Sequence, residues 1–443
     1  MDQRHSPESS DTPDPLELDL DPRVEPCVYL TADIPPVGGV IKQRPEDFFV
    51  EELPAYEPSG SGEHIYLFIE KRDISTMHAV QAIARHFGVR VADVGYAGLK
   101  DKVAVTRQLV SVHTPGKKPA DFQAFEHPRI GILWADLHAN KLRQGHLAGN
   151  RFVIRIRGTD LTRAVSAHRA LMRLHTTGVP NRIGEQRFGN LLNNHLVGRA
   201  LLLKDHQLAA DLLLGPNQRF PEMQPEARAL YAAGKYDESL RALPRNSDTE
   251  RRVLWSLAKG KKVHHAVYNM GLMPMRFFVT AFQSAVFNRV LDQRLGAGTL
   301  GELVEGDLAW KHDNGAVFAV DRAVLDDPTT RDRLDTIQIS PSGPMWGDEM
   351  PRPADGSAPA TVELAALESF AVTPRHLIDF SRKLRDPLPG KRRPLRVPLS
   401  YPDVEGGTDA HGHYVKVVFE LPAGSFATVV LRELMKPDLA PLA

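Results

Sequence analysis

Strand-forming segments gather at the two ends of this chain, and a long Leu- and Ala-rich middle separates them; no other feature restricts the possible architectures more. Residues 41–52 (IKQRPEDFFVEE) contain a short extended segment, and residues 64–72 (HIYLFIEKR) alternate as a strand does. Residues 150–158 (NRFVIRIRG) form the clearest strand. A period of two puts Phe152, Ile154 and Ile156 on one face and Arg151, Arg155 and Arg157 on the other. Strand character returns at residues 395–399 and 413–421, before a helix that starts near Ser425. In between, residues 191–203 and 277–295 are helix candidates, whereas 339–347 (ISPSGPMWG) and 351–359 are punctuated by Pro and Gly and read as loop. Strand-rich ends around a helical middle predict one α+β domain interrupted by an insertion, not two domains in tandem. A length of 443 residues accommodates both parts.

One helix is bounded by its own chemistry. Ser75 is an N-cap candidate, Met77, Val80, Ala84 and Phe87 fall at helical spacing, and Gly88 supplies the stop. Soon after it comes the stretch that carries chemistry, residues 95–112 (GYAGLKDKVAVTRQLVSV). Here Asp101 stands between Lys100 and Lys102, just past the turn-prone Ala97-Gly98. A carboxylate between ammonium groups stays ionised, and at a turn it can be presented as a base or nucleophile. Lys-Asp-Lys by itself is most often a solvated turn. The following Val103, Val105, Leu109 and Val112 read as a strand, which puts Asp101 at a loop-to-strand junction, where catalytic groups concentrate.

Composition narrows the function classes. Fifty-five basic residues balance fifty-five acidic ones, so a globally basic nucleic-acid binder is excluded and a locally basic cleft is not. Acids crowd the first segment together with Pro and Ser, as in a disordered tail, and the remainder is net basic. The single cysteine, Cys27, leaves no intrachain disulfide or cysteine-rich zinc site and points to a reducing, cytoplasmic setting. No apolar run reaches the length of a membrane span and no leader pattern is present. Eighteen histidines include no HExxH spacing, and Walker A, GxGxxG and GxSxG patterns are missing, so neither a metal nor a nucleotide cofactor is expected. Basic groups recur at Lys100, Lys102 and Arg107, at Lys141, Arg143, Arg151, Arg155 and Arg157, at Arg241, Arg245, Arg251 and Arg252, and at Lys259, Lys261, Lys262 and residues 391–393. Converging on one cleft, they would track a phosphate backbone, with nearby Phe rings available for base stacking.

Taken in order along the chain, these motifs resemble the TruD family of transfer RNA pseudouridine synthases, from about Gly39 to Leu434. GYAGLKDKVAVTRQ is similar to the catalytic Asp motif, GVPNRIGEQRFGN to the start of the inserted domain, and LPAGSFATVVLREL to the closing signature. IKQRPEDFFVEE, GNRFVIRIRG, LPRN, QSAVFN and ISPSGPMWG also match. Composition assigns a disordered acidic tail to 1–36; the resemblance implies a catalytic domain of mixed, largely antiparallel sheet over 37–180 and 391–443, and a largely helical α/β insertion (TRUD domain) over 181–390 that helps grip transfer RNA. It further implies Asp101 as nucleophile, Lys42 as its basic partner, and Phe48, Asn150, Phe152 and Phe426 around a flipped-out uridine. At Asn181-Arg182-Ile183 the chain departs from the family, which has aromatic residues after the Asn. The implied reaction breaks the N1 glycosidic bond of uridine 13 of transfer RNA and rejoins the base through C5, with no cofactor. Asp101 would attack or stabilise C1′. The alternatives from other classes are a noncatalytic RNA-binding or RNA-chaperone protein, and a phosphodiesterase, which would need clustered carboxylates for metals.

Overall fold

The computed structural model describes residues 28–384 and 387–437. Among these the chain clusters into two compact units, one of Tyr29–Pro180 with the chain from Val397 onward, the other of Asn181–Arg396. Cys27 and most of the expected acidic tail fall outside the described residues. Residues 29–36, grouped with that tail by composition, are packed: Thr31 and Ile34 are buried, and the Leu30 and Thr31 N–H groups donate to the Glu433 carboxylate.

The first unit contains β1 (Phe48–Pro54), β2 (His64–Arg72), α1 (Thr76–Phe87), β3 (Val94–Tyr96), β4 (Val105–His113), β5 (Ile130–His138), β6 (Leu147–Arg157), α2 (Arg163–Thr177), β7 (Ser400–Asp409), β8 (Gly412–Pro422) and α3 (Ala427–Met435). Its strands make one sheet in the order β7-β8-β6-β1-β4-β2-β5, with β3 added on β4. β1 and β4 run parallel and the other pairs antiparallel. Helix α1 starts where Ser75 Oγ accepts the His78 N–H and ends at Gly88, whose φ of 67° is the left-handed cap that glycine adopts without strain.

Strand alternation decides which side chains lie under the helices. Ile65, Leu67 and Ile69 of β2 with Val110 and Val112 of β4 pack against Ala79, Val80, Ile83 and Phe87 of α1. On the other half of the same face, Phe48, Val50, Phe152, Ile154, Ile156, Val417 and Phe419 pack against α2 and α3. Each such buried side chain contributes roughly 1.5–3 kcal/mol, and a one-residue slip would expose a whole row, so the register is tightly held. Between the two apolar patches the face turns polar. Register sets Lys71 opposite Thr106 and Glu52 opposite Asn150, and Lys71, Thr106, Gln108 and Glu52 are each at most 1% exposed.

The second unit is built on the helix Leu272–Gly296, which buries Phe278, Phe282, Val286, Phe287 and Leu291. A four-stranded sheet follows the order Lys391–Pro394, Ile339–Met345, Leu308–Lys311, Val317–Ala319. The ISPSGPMWG segment, expected to be loop, is thus a strand for most of its length, and every residue of Ile339–Met345 is buried. Its prolines are tolerated because the ladder is one-sided along each half. Residues 339–341 pair with Leu308–Lys311 and residues 342–345 with Lys391–Pro394, so a missing N–H need not break a bond. The Asn181-Arg182-Ile183 departure is structural in this unit: Ile183 exchanges two hydrogen bonds with the Asn288 side chain, and Arg182 pairs with Asp292. Among the described residues, no helix is long and apolar enough to cross a membrane.

Candidate active site

The polar strip in the middle of the first unit's sheet is roofed by the connection between β3 and β4, and Asp101 lies in that connection. A segment without helix or strand needs other anchors for its backbone groups. Thr76, the first residue of α1, accepts the Lys100 N–H at 2.9 Å and donates to Gln108 Oε1 at 3.2 Å. Gln108 Nε2 in turn donates to the Gly98 carbonyl at 3.4 Å. Lys71 Nζ rises from β2 and donates to the carbonyls of Asp101 and Ile74, both at 2.8 Å. Burial lowers the Lys71 pKa to about 8, with Asp101 pulling the other way and Lys100 adding to the depression.

The Asp101 carboxylate points outward and accepts from Lys42 Nζ at 2.7 Å, with side-chain exposures of 43% and 28%. Lys42 takes a left-handed backbone, φ 59°, and its ammonium lies 4.2 Å above the Phe48 ring, itself nearly buried at the start of β1. This cation–π contact orients the lysine toward the carboxylate.

Lys100, expected to stand beside Asp101 as a charge neighbour, instead folds into the strip. Its Nζ lies 2.7 Å from Glu52 Oε2 and donates to Asn150 Oδ1 at 2.7 Å, and its side chain is 6% exposed. A fully buried Glu52 carboxylate is a stronger lure than a solvated one, because an unpaired charge there would be very costly. Burial raises the Glu52 pKa, against the pull of Lys100 and the Leu109 N–H. Lys102 stays exposed. Asp101 thus has Lys42, 59 residues away, as its direct partner.

Asn150 sits on β6 beside Gly149, where any side chain would meet the Leu421 carbonyl, so β6 and β8 approach closely there. Leu421 of β8 lies opposite Asn150, and Ala423 N donates to Ala148 O, which brings the chain leading to Phe426 to this end of the strip. Phe426 precedes α3 and is 46% exposed. Phe152 is buried and stacks on Phe419 at 5.4 Å. Of the sequence-derived residues, Asp101, Lys42 and Phe48 touch in one chain of contacts, Asn150 joins it through Lys100, Phe426 offers an open ring, and Phe152 belongs to the core.

The basic face expected on β6 is largely neutralised. Arg157 is buried and forms ion pairs with Asp47 at 2.7 Å and Asp409 at 2.8 Å, while Arg155 lies 5.0 Å from the Tyr414 ring. In the second unit, Arg251 is spent on the Leu240 and Leu243 carbonyls and Arg392 on Glu363, whereas Lys259, Lys261 and Lys262 are exposed. Sequence reasoning passed over Lys71, Glu52, Thr76 and Gln108. For two of them a signal existed: Lys71 follows Ile65, Leu67 and Ile69 at inward parity, and Glu52 follows Phe48 and Val50.

A family model described as tRNA pseudouridine synthase D (TruD) matches residues 26–434. The chain is 44% identical over 410 residues to a Geobacter sulfurreducens protein named tRNA pseudouridine synthase D, spanning 92% of this chain and 96% of that one. It is 42% identical over 414 residues to a protein of the same name from Syntrophotalea carbinolica, with 93% and 99% covered. A crystal structure described under the same name, from Methanosarcina mazei, matches with a TM-score of 0.79 at 25% identity, covering 92% of this chain and 95% of the other.

Proposed function

We propose, from the premise that this chain belongs to the tRNA pseudouridine synthase D (TruD) family, that it isomerises uridine to pseudouridine at position 13 of transfer RNA with Asp101 as its catalytic carboxylate. Isomerisation of uridine in transfer RNA is the activity its relatives are named for; the position and the residue roles are our assignment. The observation that carries it is the Asp101 side chain, paired with Lys42 at 2.7 Å on a loop whose backbone Lys71 clamps from below.

The chemistry matches that arrangement. The N1–C1′ bond breaks, the freed uracil turns within the pocket, a C5–C1′ bond forms, the C5 proton leaves and N1 takes up a proton, so atoms and charge balance without an oxidant. Asp101 attacks or stabilises C1′ while Lys42 fixes the direction of its oxygen. A stacked uridine must first flip out, at a cost of a few kcal/mol. The open Phe426 ring offsets this by stacking, Asn150 contributes hydrogen bonding, and Phe48 and Phe152 form the floor behind it. The unit of Tyr29–Pro180 and the chain from Val397 is the catalytic domain in this assignment. The Asn181–Arg396 unit is the insertion, whose exposed Lys259, Lys261 and Lys262 are available to RNA phosphates.

Carbodiimide mapping of a transfer RNA transcript incubated with the purified chain tests this. A new reactive site at position 13 is expected. An unmodified transcript that nevertheless binds would favour a noncatalytic RNA-binding protein, and a modified site elsewhere would overturn the position.

A further inference from the structure

The buried Glu52–Lys100–Asn150 chain has no direct part in the bond-making assigned to Asp101, yet burying an ion pair beside an active site calls for an explanation. Asn150 Oδ1 and Nδ2 are opposite in hydrogen-bonding character, and a carboxamide that turns over exchanges an acceptor for a donor. An ammonium only donates, so the Asn150 atom 2.7 Å from Lys100 Nζ must be the oxygen. Lys100 is itself fixed, since Glu52 Oε2 lies 2.7 Å from the same Nζ and Glu52 Oε1 accepts the Leu109 N–H at 3.2 Å. Glu52 and Asn150 are cross-strand partners, so the sheet sets the spacing of the whole chain. The half-buried Asn150 is left with its NH2 group directed away from Lys100, and no acceptor in the described residues is bonded to it.

We propose that Glu52 and Lys100 are positioning residues that lock the Asn150 carboxamide as a hydrogen-bond donor toward the base, and thereby make the pocket select a base with two carbonyls. This rests on the assignment of Asn150 to the uridine pocket. Uracil carries carbonyls at C2 and C4. Half a turn about its N3–C6 axis brings C5 to where N1 stood and exchanges the two carbonyls. A locked donor therefore meets an oxygen both before and after the base turns. Cytosine presents an amine at C4, so in one of the two orientations donor faces donor, and cytidine is refused.

The test uses the full chain and transcripts carrying uridine, 2-thiouridine or 4-thiouridine at the target, with sulfur as the poorer acceptor. In the wild-type protein both thio substitutions should lower turnover, because each position faces Asn150 in turn. Asn150→Asp keeps a partner for Lys100 and replaces the donor by an acceptor. It should lower kcat/KM about 100-fold while transfer RNA affinity stays within about threefold. The double variant Glu52→Gln/Lys100→Met leaves no unpaired buried charge; it should lose about tenfold in turnover and both thio penalties. Lys100→Arg keeps a donor-only cation and should retain both penalties. Wild-type turnover in Asn150→Asp would remove Asn150 from the pocket and so overturn the underlying assignment. An impaired Asn150→Asp beside a double variant that keeps wild-type turnover and both penalties would leave that assignment standing and overturn the lock. Loss of the penalties in Lys100→Arg would overturn it equally.

Discussion

Replacing Lys71 by Met should change how stability depends on pH, by an amount that follows from its burial. The lysine is fully buried under the Asp101 loop and its pKa is lowered from 10.5 to about 8. The sign follows from proton counting. Between pH 8 and 10.5 the unfolded chain holds a proton on this lysine that the folded chain has released, so unfolding takes up a proton and stability rises with pH. Below pH 8 both states are protonated and the folded state bears the full penalty. A separation of 2.5 pKa units corresponds to about 3 kcal/mol. Urea unfolding at intervals from pH 7.5 to 10 should therefore show the wild-type protein gaining about 2–3 kcal/mol relative to Lys71→Met across this range. Turnover should fall in the same variant, at least about tenfold, because the carbonyls of Asp101 and Ile74 lose their donor and the loop its anchor. Parallel stability curves for the two proteins would refute the burial argument, and unchanged turnover would refute the anchoring role.

Lys42→Met should leave stability within about 1 kcal/mol, since the Lys42–Asp101 pair is partly exposed, yet reduce kcat more than tenfold by a rough positioning estimate; single-turnover kinetics and denaturant unfolding separate the two. Phe426→Ala removes the open ring, and a stacking contribution of about 1–3 kcal/mol predicts a loss of roughly 5- to 150-fold in kcat/KM with the fold intact by circular dichroism. Hydrogen bonds from Arg157 hold the Asp409 carboxyl well below the usual carboxylate range. The stability this brings is present above the unfolded-state pKa and is lost as pH falls toward the folded value, so the acid limb of a thermal-unfolding profile should be steeper in the wild-type protein than in Asp409→Asn.

Much of the sheet was legible from alternation alone. The strand over residues 150–158 and the inward row Phe152, Ile154 and Ile156 are found as expected, and α1 begins and ends at Ser75 and Gly88. Local composition misled at Ile339–Met345, because Pro and Gly report turn preference while the one-sided ladder and complete burial of that strand are set by distant segments. The site divides in the same way. Asp101 stood out by its charged neighbours, but which lysine turns toward it depends on Glu52, whose inward parity is legible on β1 while its pairing with the distant Lys100 is not. Parity on β2 would have flagged Lys71; nothing short-range ties Lys42 to a carboxylate 59 residues away, and that pairing was expected only through resemblance to the family.

The assignment stands or falls on Asp101. Asp101→Asn keeps the size of the side chain and its contact with Lys42, so affinity for a transfer RNA transcript should stay within about threefold of wild type. Release of tritium from C5-labelled uridine in that transcript should drop to background, because no carboxylate remains to open the glycosidic bond. Tritium release at the wild-type rate from the Asn variant would contradict the account.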